Sequence, residues 1–254
     1  MAYEHAYQGV EARKAYFFMG DAMVCMGSGI KAARTQEVRT SVNQCLANGE
    51  VTYGLSGHTY RLTNNLSDKN IDWAYHDNVG YIFPQNESVT LRKAKQTGAW
   101  RELEVTASDK PVTKEIFSLW VSHGTTPQHE DYCYIIMPDK PLSYFTDKKF
   151  ENEIKIIVNS EQIQAISNEN KRQYAAVFYE PGEIRFAEDL VVAVNKKVII
   201  YIEKKDKQYE IAVADPLYKE QSLQLSMNGE QINIVFPSGD YSGSSVIKHI
   251  TEKH

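Results

Sequence analysis

The chain alternates between short stretches of β-branched and aromatic residues and clusters of turn residues, at intervals of roughly 8 to 12 residues. Residues 14–19 and 22–27 are predicted strands separated by Gly20-Asp21, and residues 37–46 alternate weakly between the two faces of a third. Further strands of the first half are predicted over 72–76, 79–84, 88–94, 115–122 and 131–137. Strands at this spacing are typical of antiparallel sandwiches.

The second half has a similar texture after an interruption. Residues 138–152 are rich in proline and charge and are predicted to be a linker or long connection. Lys196-Lys197 and Lys204–Lys207 are predicted hairpin tips, and Asn228-Gly229 is the strongest hairpin signal because both residues tolerate positive φ. The strands predicted here are 154–158, 162–167, 173–179, 190–194, 197–204, 207–214, 222–227 and 231–236.

A helical period is missing from the pattern. No segment keeps an apolar 3.6-residue repeat over three turns, and the best helical candidate, residues 30–36, is short. The sequence therefore predicts an all-β protein with two sandwich layers or domains.

Composition narrows the classes of partner. The chain has 254 residues, of which 42% are hydrophobic, and a formal charge of −5, which argues against nucleic acid as the main ligand. The local basic stretch at Arg92, Lys93, Lys95 and Arg101 is interpreted as a solvated strand edge. No apolar run is long enough for a membrane span, and no secretory signal stands at the start of the chain.

Two histidine-containing segments invite a chemical interpretation. His123, His129, Glu130 and Asp131 lie close together in sequence, but their spacing fits no common metal motif, so we interpret them as a solvated turn and predict no metal site. His76-Asp77 could be a base with its orienting acid, but a histidine at the edge of the core is the simpler interpretation. The odd count of three cysteines, without a CxxC pair, predicts free thiols and does not fix the compartment.

Aromatic residues offer the other candidate chemistry. The chain has 16 tyrosines, 9 phenylalanines and 3 tryptophans, and aromatic rings on a sheet face or rim can stack on sugar rings. Most of them, including Phe17, Tyr81 and Tyr134, are expected to fill the core. Trp73 and Trp100 are the candidates for a glycan-contact surface.

Four collinear segments resemble a known family. They are RKAYFFMGDAMVCMGSGI (13–30), WAYHDNVGYIFP (73–84), GAWR (98–101) and WVSHGTTP (120–127) continuing to YCYIIMP (132–138). Together they are similar to the β motifs of polysaccharide lyase family 8, which degrades chondroitin, hyaluronan and xanthan, and the texture is most similar to that of the chondroitin AC lyases. Gln164-Ala165-Ile166 with Phe178 and Gly182, and FPSGDYSG (236–243), resemble the small C-terminal domain of the same enzymes.

The resemblance implies a large antiparallel β-sandwich over residues 1–150, part of the family's central "supersandwich", and a smaller C-terminal sandwich over 151–254. It implies cleavage of a uronate-containing glycan by β-elimination, with an extracellular or periplasmic location. In the family, an Asn, a His, a Tyr and an Arg on an N-terminal helical toroid carry the chemistry, helped by a Glu-containing segment of the central domain. None of these residues maps onto this chain, so no catalytic residue is predicted.

We therefore expect a fragment of a longer lyase, inactive alone, with the helical toroid and an acidic glycosaminoglycan as its partners. No cofactor is predicted in this chain; some members of the family hold calcium in the central domain, but its ligands have no counterpart that we can place here. Two alternatives stay open at this point: a stand-alone carbohydrate-binding sandwich and a purely structural scaffold.

Overall fold

The computed structural model describes residues 1–33, 35–85 and 87–251, and the described chain is built almost entirely of antiparallel strands. The prediction of an all-β fold is confirmed. Two compact units divide the chain: Met1–Ile30 together with Phe150–His254 form one, and Lys31–Lys149 form the other. The predicted division into a sandwich over residues 1–150 and a smaller one over 151–254 stays a prediction.

The first unit contains a sandwich. A six-stranded sheet has the order β13-β14-β15-β18-β19-β22, and a four-stranded sheet has the order β16-β17-β20-β21. The strands are β13 (Lys155–Asn159), β14 (Ile163–Asn168), β15 (Gln173–Phe178), β16 (Gly182–Ala187), β17 (Leu190–Val194), β18 (Val198–Lys205), β19 (Gln208–Ala214), β20 (Ser222–Met227), β21 (Glu230–Val235) and β22 (Val246–Thr251).

Alternating apolar side chains of the two sheets form the core of this sandwich. Ile200 and Ile202 of β18 and Ile211 of β19 are fully buried against Val192 and Leu225 of the facing sheet. Strands with this strict period of two bury one face and expose the other. The Asn228-Gly229 turn has positive φ at both residues, 49° and 84°, which is the type I′ geometry that the sequence predicted.

Three N-terminal strands belong to the same unit: β1 (Ala2–Tyr7), β2 (Val10–Met19) and most of β3 (Ala22–Ala32). They are tied to the start of the sandwich by polar contacts. Ser28 Oγ donates to the carbonyl of Ser160 at 2.9 Å, and Asn159 Nδ2 donates to the carbonyl of Gly27 at 3.1 Å. Arg13 lies over the ring of Tyr179, 5.3 Å from its centroid. These three strands are therefore held to the sandwich by specific hydrogen bonds and by the Arg13–Tyr179 contact.

The second unit also pairs two sheets. Within this unit, one sheet includes the neighbouring strands β12-β9-β8-β5-β6, and the other has the order β4-β11-β10-β7. The elements are β4 (Arg39–Leu46), β5 (Val51–Leu55), β6 (His58–Arg61), β7 (Leu66–Lys69), β8 (Trp73–His76), β9 (Val79–Ile82), β10 (Val89–Gly98), β11 (Val112–Ser122), β12 (Glu130–Pro138) and a short helix α1 (Leu142–Thr146).

The connection over 138–152 is more ordered than the sequence suggested. It contains α1, whose Phe145 is fully buried and contacts the rings of Trp73 and Tyr75 at centroid distances of 6.0 and 5.5 Å. The prediction of a linker missed this because the segment carries a single buried apolar anchor among prolines and charges. Phe145 thus fixes the connection to the face of β8 and β9.

The structure also tests the predicted helix at 30–36 and two predicted hairpin tips. The helical candidate at 30–36 is strand as far as Ala32, and its Arg34 lies outside the described residues. Lys196-Lys197 is no hairpin tip, because β17 and β18 pair in different sheets, whereas the turn at Asp206-Lys207 does join the paired strands β18 and β19. In the described part of the chain, no helix has the length and apolarity to cross a bilayer.

Candidate functional site

The β10–β11 hairpin, residues 89–122, carries Trp100, one of the two aromatic residues that the sequence singled out. Its two strands pair in continuous register from Val89–Val121 to Gly98–Val112. A 3-10 turn at Trp100–Glu102 follows β10 and leaves the Trp100 side chain 62% exposed. The backbone N–H of Ala99 donates to the carboxylate of Glu102 at 3.1 Å, which stabilises the turn that carries the indole.

This hairpin carries local positive charge on an acidic protein. Residues 89–122 hold six basic and four acidic side chains. Lys93 pairs with Glu115 at 3.5 Å and donates to the carbonyl of Gly49. Within the described residues, Arg92, Lys95 and Lys114 have no ion-pair partner. Strand β7 pairs with β10 only at Val89 and Leu91, so the basic stretch that begins at Arg92 is paired on one side by β11, as the interpretation of a solvated strand edge expects.

The two faces of β11 differ in character. Phe117, Leu119 and Val121 point into the core, so Ser118 and Trp120 lie on the opposite face. There the guanidinium of Arg39 stacks over Trp120 at 4.6 Å. Ser118 Oγ and Trp120 Nε1 are buried without a hydrogen-bond partner in the part of the chain that the structure describes. Unpaired buried donors are costly, and because both atoms are shielded from solvent we assign them no ligand.

Trp73, the other aromatic candidate from the sequence, is a core residue. Its side chain is only 2% exposed, and its indole lies directly over the α-carbon of Gly54 on β5. A ring without an exposed face has no surface for a sugar, so Trp73 is withdrawn as a glycan contact. Trp100 alone of the two predicted residues is placed where it could meet a ligand.

His76 lies in a polar cluster, which we define as the buried His76 and Tyr81 and the half-buried Asn43 and Cys45. The imidazole of His76 stacks on Phe117 at 4.4 Å, and its Nδ1 lies 3.7 Å from Cys45 Sγ. Burial lowers the pKa of His76 and raises the pKa of the Cys45 thiol. Both shifts favour the neutral forms, so the pair has none of the charge separation that activates a thiolate.

The phenol of Tyr81 is likewise held in its neutral form. Burial raises the pKa of Tyr81 to about 12, and Asn43 Nδ2 donates to its hydroxyl. The cluster links the two sheets of the unit through hydrogen bonds and ring contacts. It is therefore structural, in agreement with the interpretation of His76 as a core histidine.

A buried carboxyl group escaped the sequence analysis. Glu87 is 6% exposed, and its Oε1 accepts a hydrogen bond from the backbone N–H of Cys133 at 2.7 Å. Burial, together with the nearby acids Asp131 and Glu130, raises the pKa of Glu87 to about 7. An isolated acid between two strands carries no pattern that would reveal its burial from sequence.

The histidine-rich turn shows no assembled metal ligands. His123 Nε2 lies 2.8 Å from Thr40 Oγ1, and His129 has a positive φ of 59° in the turn before β12. Among the described residues, no three His, Cys, Asp or Glu side chains are grouped closely enough to hold a metal ion.

Two family models and several known proteins match the sequence of this chain. The model of the polysaccharide lyase family 8 super-sandwich domain matches residues 1–149, and that of the family's C-terminal β-sandwich domain matches residues 155–224. The chain is 30% identical to a chondroitinase-AC from Pedobacter heparinus over 96% of its own length and 36% of that protein. It is 24% identical to a hyaluronate lyase from Thermasporomyces composti over 89% of its length and 29% of that protein.

The backbone agrees with these sequence matches. A solved structure of chondroitinase AC lyase, from a study of enzyme–oligosaccharide complexes, superimposes with a TM-score of 0.90 and 27% identity over 97% of this chain and 37% of that one. The chain thus spans about a third of the length of the relatives it matches.

Proposed function

The chain belongs to polysaccharide lyase family 8, and from that premise we propose that it forms the β half of a glycosaminoglycan lyase acting on chondroitin- or hyaluronan-type polymers. The observation that carries the proposal is the ordered match of both family domains over residues 1–149 and 155–224. The relatives' remaining length, about two thirds, has no counterpart in this chain. We propose that a helical domain supplies the catalytic groups and that this chain supports one wall of the cleft.

The chemistry explains why the chain alone is expected to be inactive. Eliminative cleavage of a uronate-containing glycan removes the C5 proton and expels the oxygen on C4. The proton becomes removable only when donors stabilise the charge that develops on the adjacent carboxylate, and a base and an acid must lie within hydrogen-bond reach. The buried His76 and Glu87 are enclosed by protein and cannot reach a polymer, so neither is assigned a catalytic role.

The β10–β11 hairpin is the part of this unit best suited to meet the substrate or the helical domain. Trp100 offers an exposed ring for stacking, and Arg92 and Lys95 offer cations to an acidic chain. These features also favour a second candidate function, a glycan-binding sandwich that acts without cleavage. An extracellular or periplasmic location suits either function, because a long acidic polymer is met outside the cytoplasm.

A chimera tests the proposal. The segment of the Pedobacter chondroitinase-AC that this chain matches is replaced by this chain, and release of unsaturated uronate from chondroitin is followed by ultraviolet absorbance. Cleavage by the chimera supports the proposal, whereas a folded chimera without product rejects it. Glycan binding by that inactive chimera would leave the second candidate function in its place.

A further inference from the structure

A groove at one end of the C-terminal sandwich combines an exposed aromatic ring with unpaired polar groups. It encloses about 450 Å3 and lies between the turn after β19 and the connection from β21 to β22. We define it as the Tyr218 groove, lined among others by Tyr218, Lys219, Gln221, Ser238, Ser242 and Gly243.

The turn that carries Tyr218 is held in place by a buried acid. Asp215 is almost fully buried, and its carboxylate accepts hydrogen bonds from the backbone N–H groups of Leu217, Lys219 and Glu220 at 2.9, 2.7 and 2.8 Å. Hydrogen bonds to an ionised carboxylate are stronger than neutral ones. The backbone around Tyr218 is therefore preorganised before any ligand arrives.

The ring itself is held in an unusual conformation and yet left exposed. Tyr218 has a φ of 55°, in the left-handed region that large side chains rarely adopt. Its ring edge lies against the α-carbon of Gly243, where a side chain would overlap it, while 68% of the side chain stays exposed. A residue held in this region costs roughly 1–3 kcal/mol, and the surrounding contacts must hold it there.

The polar groups around the ring are available to a ligand. In the part of the chain that the structure describes, the Tyr218 hydroxyl and the Lys219 ammonium have no hydrogen-bond or ion-pair partner. Glu220, the neighbouring acid, is instead neutralised by Lys196. Ser242 Oγ donates to the carbonyl of Gly239 at 2.8 Å and keeps its lone pairs free to accept.

We propose that the Tyr218 groove binds an acidic oligosaccharide, with Tyr218 stacking on the apolar face of a sugar ring and Lys219 pairing with its carboxylate or sulfate. Gln221, Ser238 and Ser242 would hydrogen-bond the ring hydroxyls. The choice of an acidic rather than a neutral glycan rests on Lys219 and on the proposed function. This site lies in the C-terminal sandwich and would hold a polymer without taking part in its cleavage.

Calorimetry on the chain as it stands, with a chondroitin sulfate hexasaccharide as probe, tests the proposal. Tyr218→Ala is expected to weaken binding roughly two- to tenfold, as loss of a stacked ring does, and Tyr218→Phe to retain most of it. Lys219→Gln is expected to weaken binding and to reduce its salt dependence. Tyr7→Ala removes a similarly exposed tyrosine from the end of β1 and serves as the matched control.

Three results would overturn the proposal: no binding by the wild-type chain, equal binding by Tyr218→Ala, or a loss with Trp100→Ala alone. Thermal melting of each variant separates loss of the site from loss of the fold. The binding measurement needs no cleavage, so it is independent of the chimera. Tyr218-dependent binding with an inactive chimera would reject only the lyase assignment, and an active chimera without such binding would reject only this groove.

Discussion

The ring of Phe145 occupies the space directly above the α-carbon of Gly80, so that even a methyl group at residue 80 would overlap it. Phe145 lies on the short helix α1 and Gly80 on β9, and both belong to the second unit. This fit anchors the 138–152 connection to the sheet. It also explains the glycine, whose backbone conformation does not itself require one.

Gly80→Ala is expected to lower the free energy of unfolding by about 1–3 kcal/mol, because an overpacked core must shift rotamers or backbone. Urea denaturation of wild type and Gly80→Ala measures this difference in the free energy of unfolding. Gly98→Ala is the matched control, since a methyl group there would meet only the Glu102 carboxylate at 3.8 Å. In a Phe145→Ala background the Gly80→Ala cost should shrink; an unchanged cost in that background would show that the two residues do not compete for space.

Glu87 is expected to make stability fall as pH rises. Its folded pKa of about 7 lies above the ordinary 4.5, so the folded protein binds the proton more tightly than the unfolded chain does. The stabilisation is complete below about pH 4.5 and is lost as pH rises through about 7, at a cost of up to roughly 3 kcal/mol. Denaturation at pH 5 to 8 should show a steeper decline in wild type than in Glu87→Gln.

The control for this pH dependence is Glu183→Gln, which alters an exposed acid on β16. Its stability should follow the wild-type profile. Profiles of wild type and Glu87→Gln that run parallel from pH 5 to 8 would show that Glu87 ionises alike in the folded and unfolded chain.

Asp215→Ala is expected to destabilise the turn after β19, because three backbone N–H groups lose their shared acceptor. Hydrogen bonds to charged groups contribute about 1.5–3 kcal/mol each, and water replaces part of that in an exposed turn. Hydrogen exchange at Leu217, Lys219 and Glu220 should accelerate, while exchange in β18 stays slow. Unchanged protection at these three amides would mean that the turn is held by other contacts.

Trp100→Ala is expected to leave stability within about 0.5 kcal/mol of wild type and to raise the KM of the active chimera for chondroitin roughly two- to tenfold, with kcat little changed. The reason is that the exposed indole can bind polymer without contacting the reacting atoms. Trp73→Ala provides the contrast, since emptying a buried tryptophan site costs about 3–5 kcal/mol. A wild-type KM in Trp100→Ala would remove the hairpin from the substrate path.

The sequence anticipated the long, alternating strands and missed those without a pattern. Strand β20 has a clear apolar period and an Asn-Gly turn, and it was located to the residue. Strand β6 (His58–Arg61) is exposed at all four positions, so no buried face marks it, and pairing with β5 alone determines its conformation.

The burial of the candidate site residues could not be predicted from the sequence either. Neither local sequence shows whether Trp73 or Trp100 is buried, and tertiary packing separates the core residue from the exposed one. Glu87 and Phe145 owe their environments to partners about 46 and 65 residues away, Cys133 and Gly80. Local composition cannot reveal such contacts. The family resemblance succeeded because it rests on the order of several motifs along the chain rather than on any single residue.

The rate at which the chimera releases unsaturated uronate from chondroitin tests whether this chain can serve as the β half of a lyase. It is compared with the intact Pedobacter enzyme, with that enzyme lacking the matched segment, and with this chain alone. The account predicts turnover by the chimera and the intact enzyme and none by either part. Turnover by this chain alone, or a folded chimera as inactive as the truncated enzyme, would contradict it.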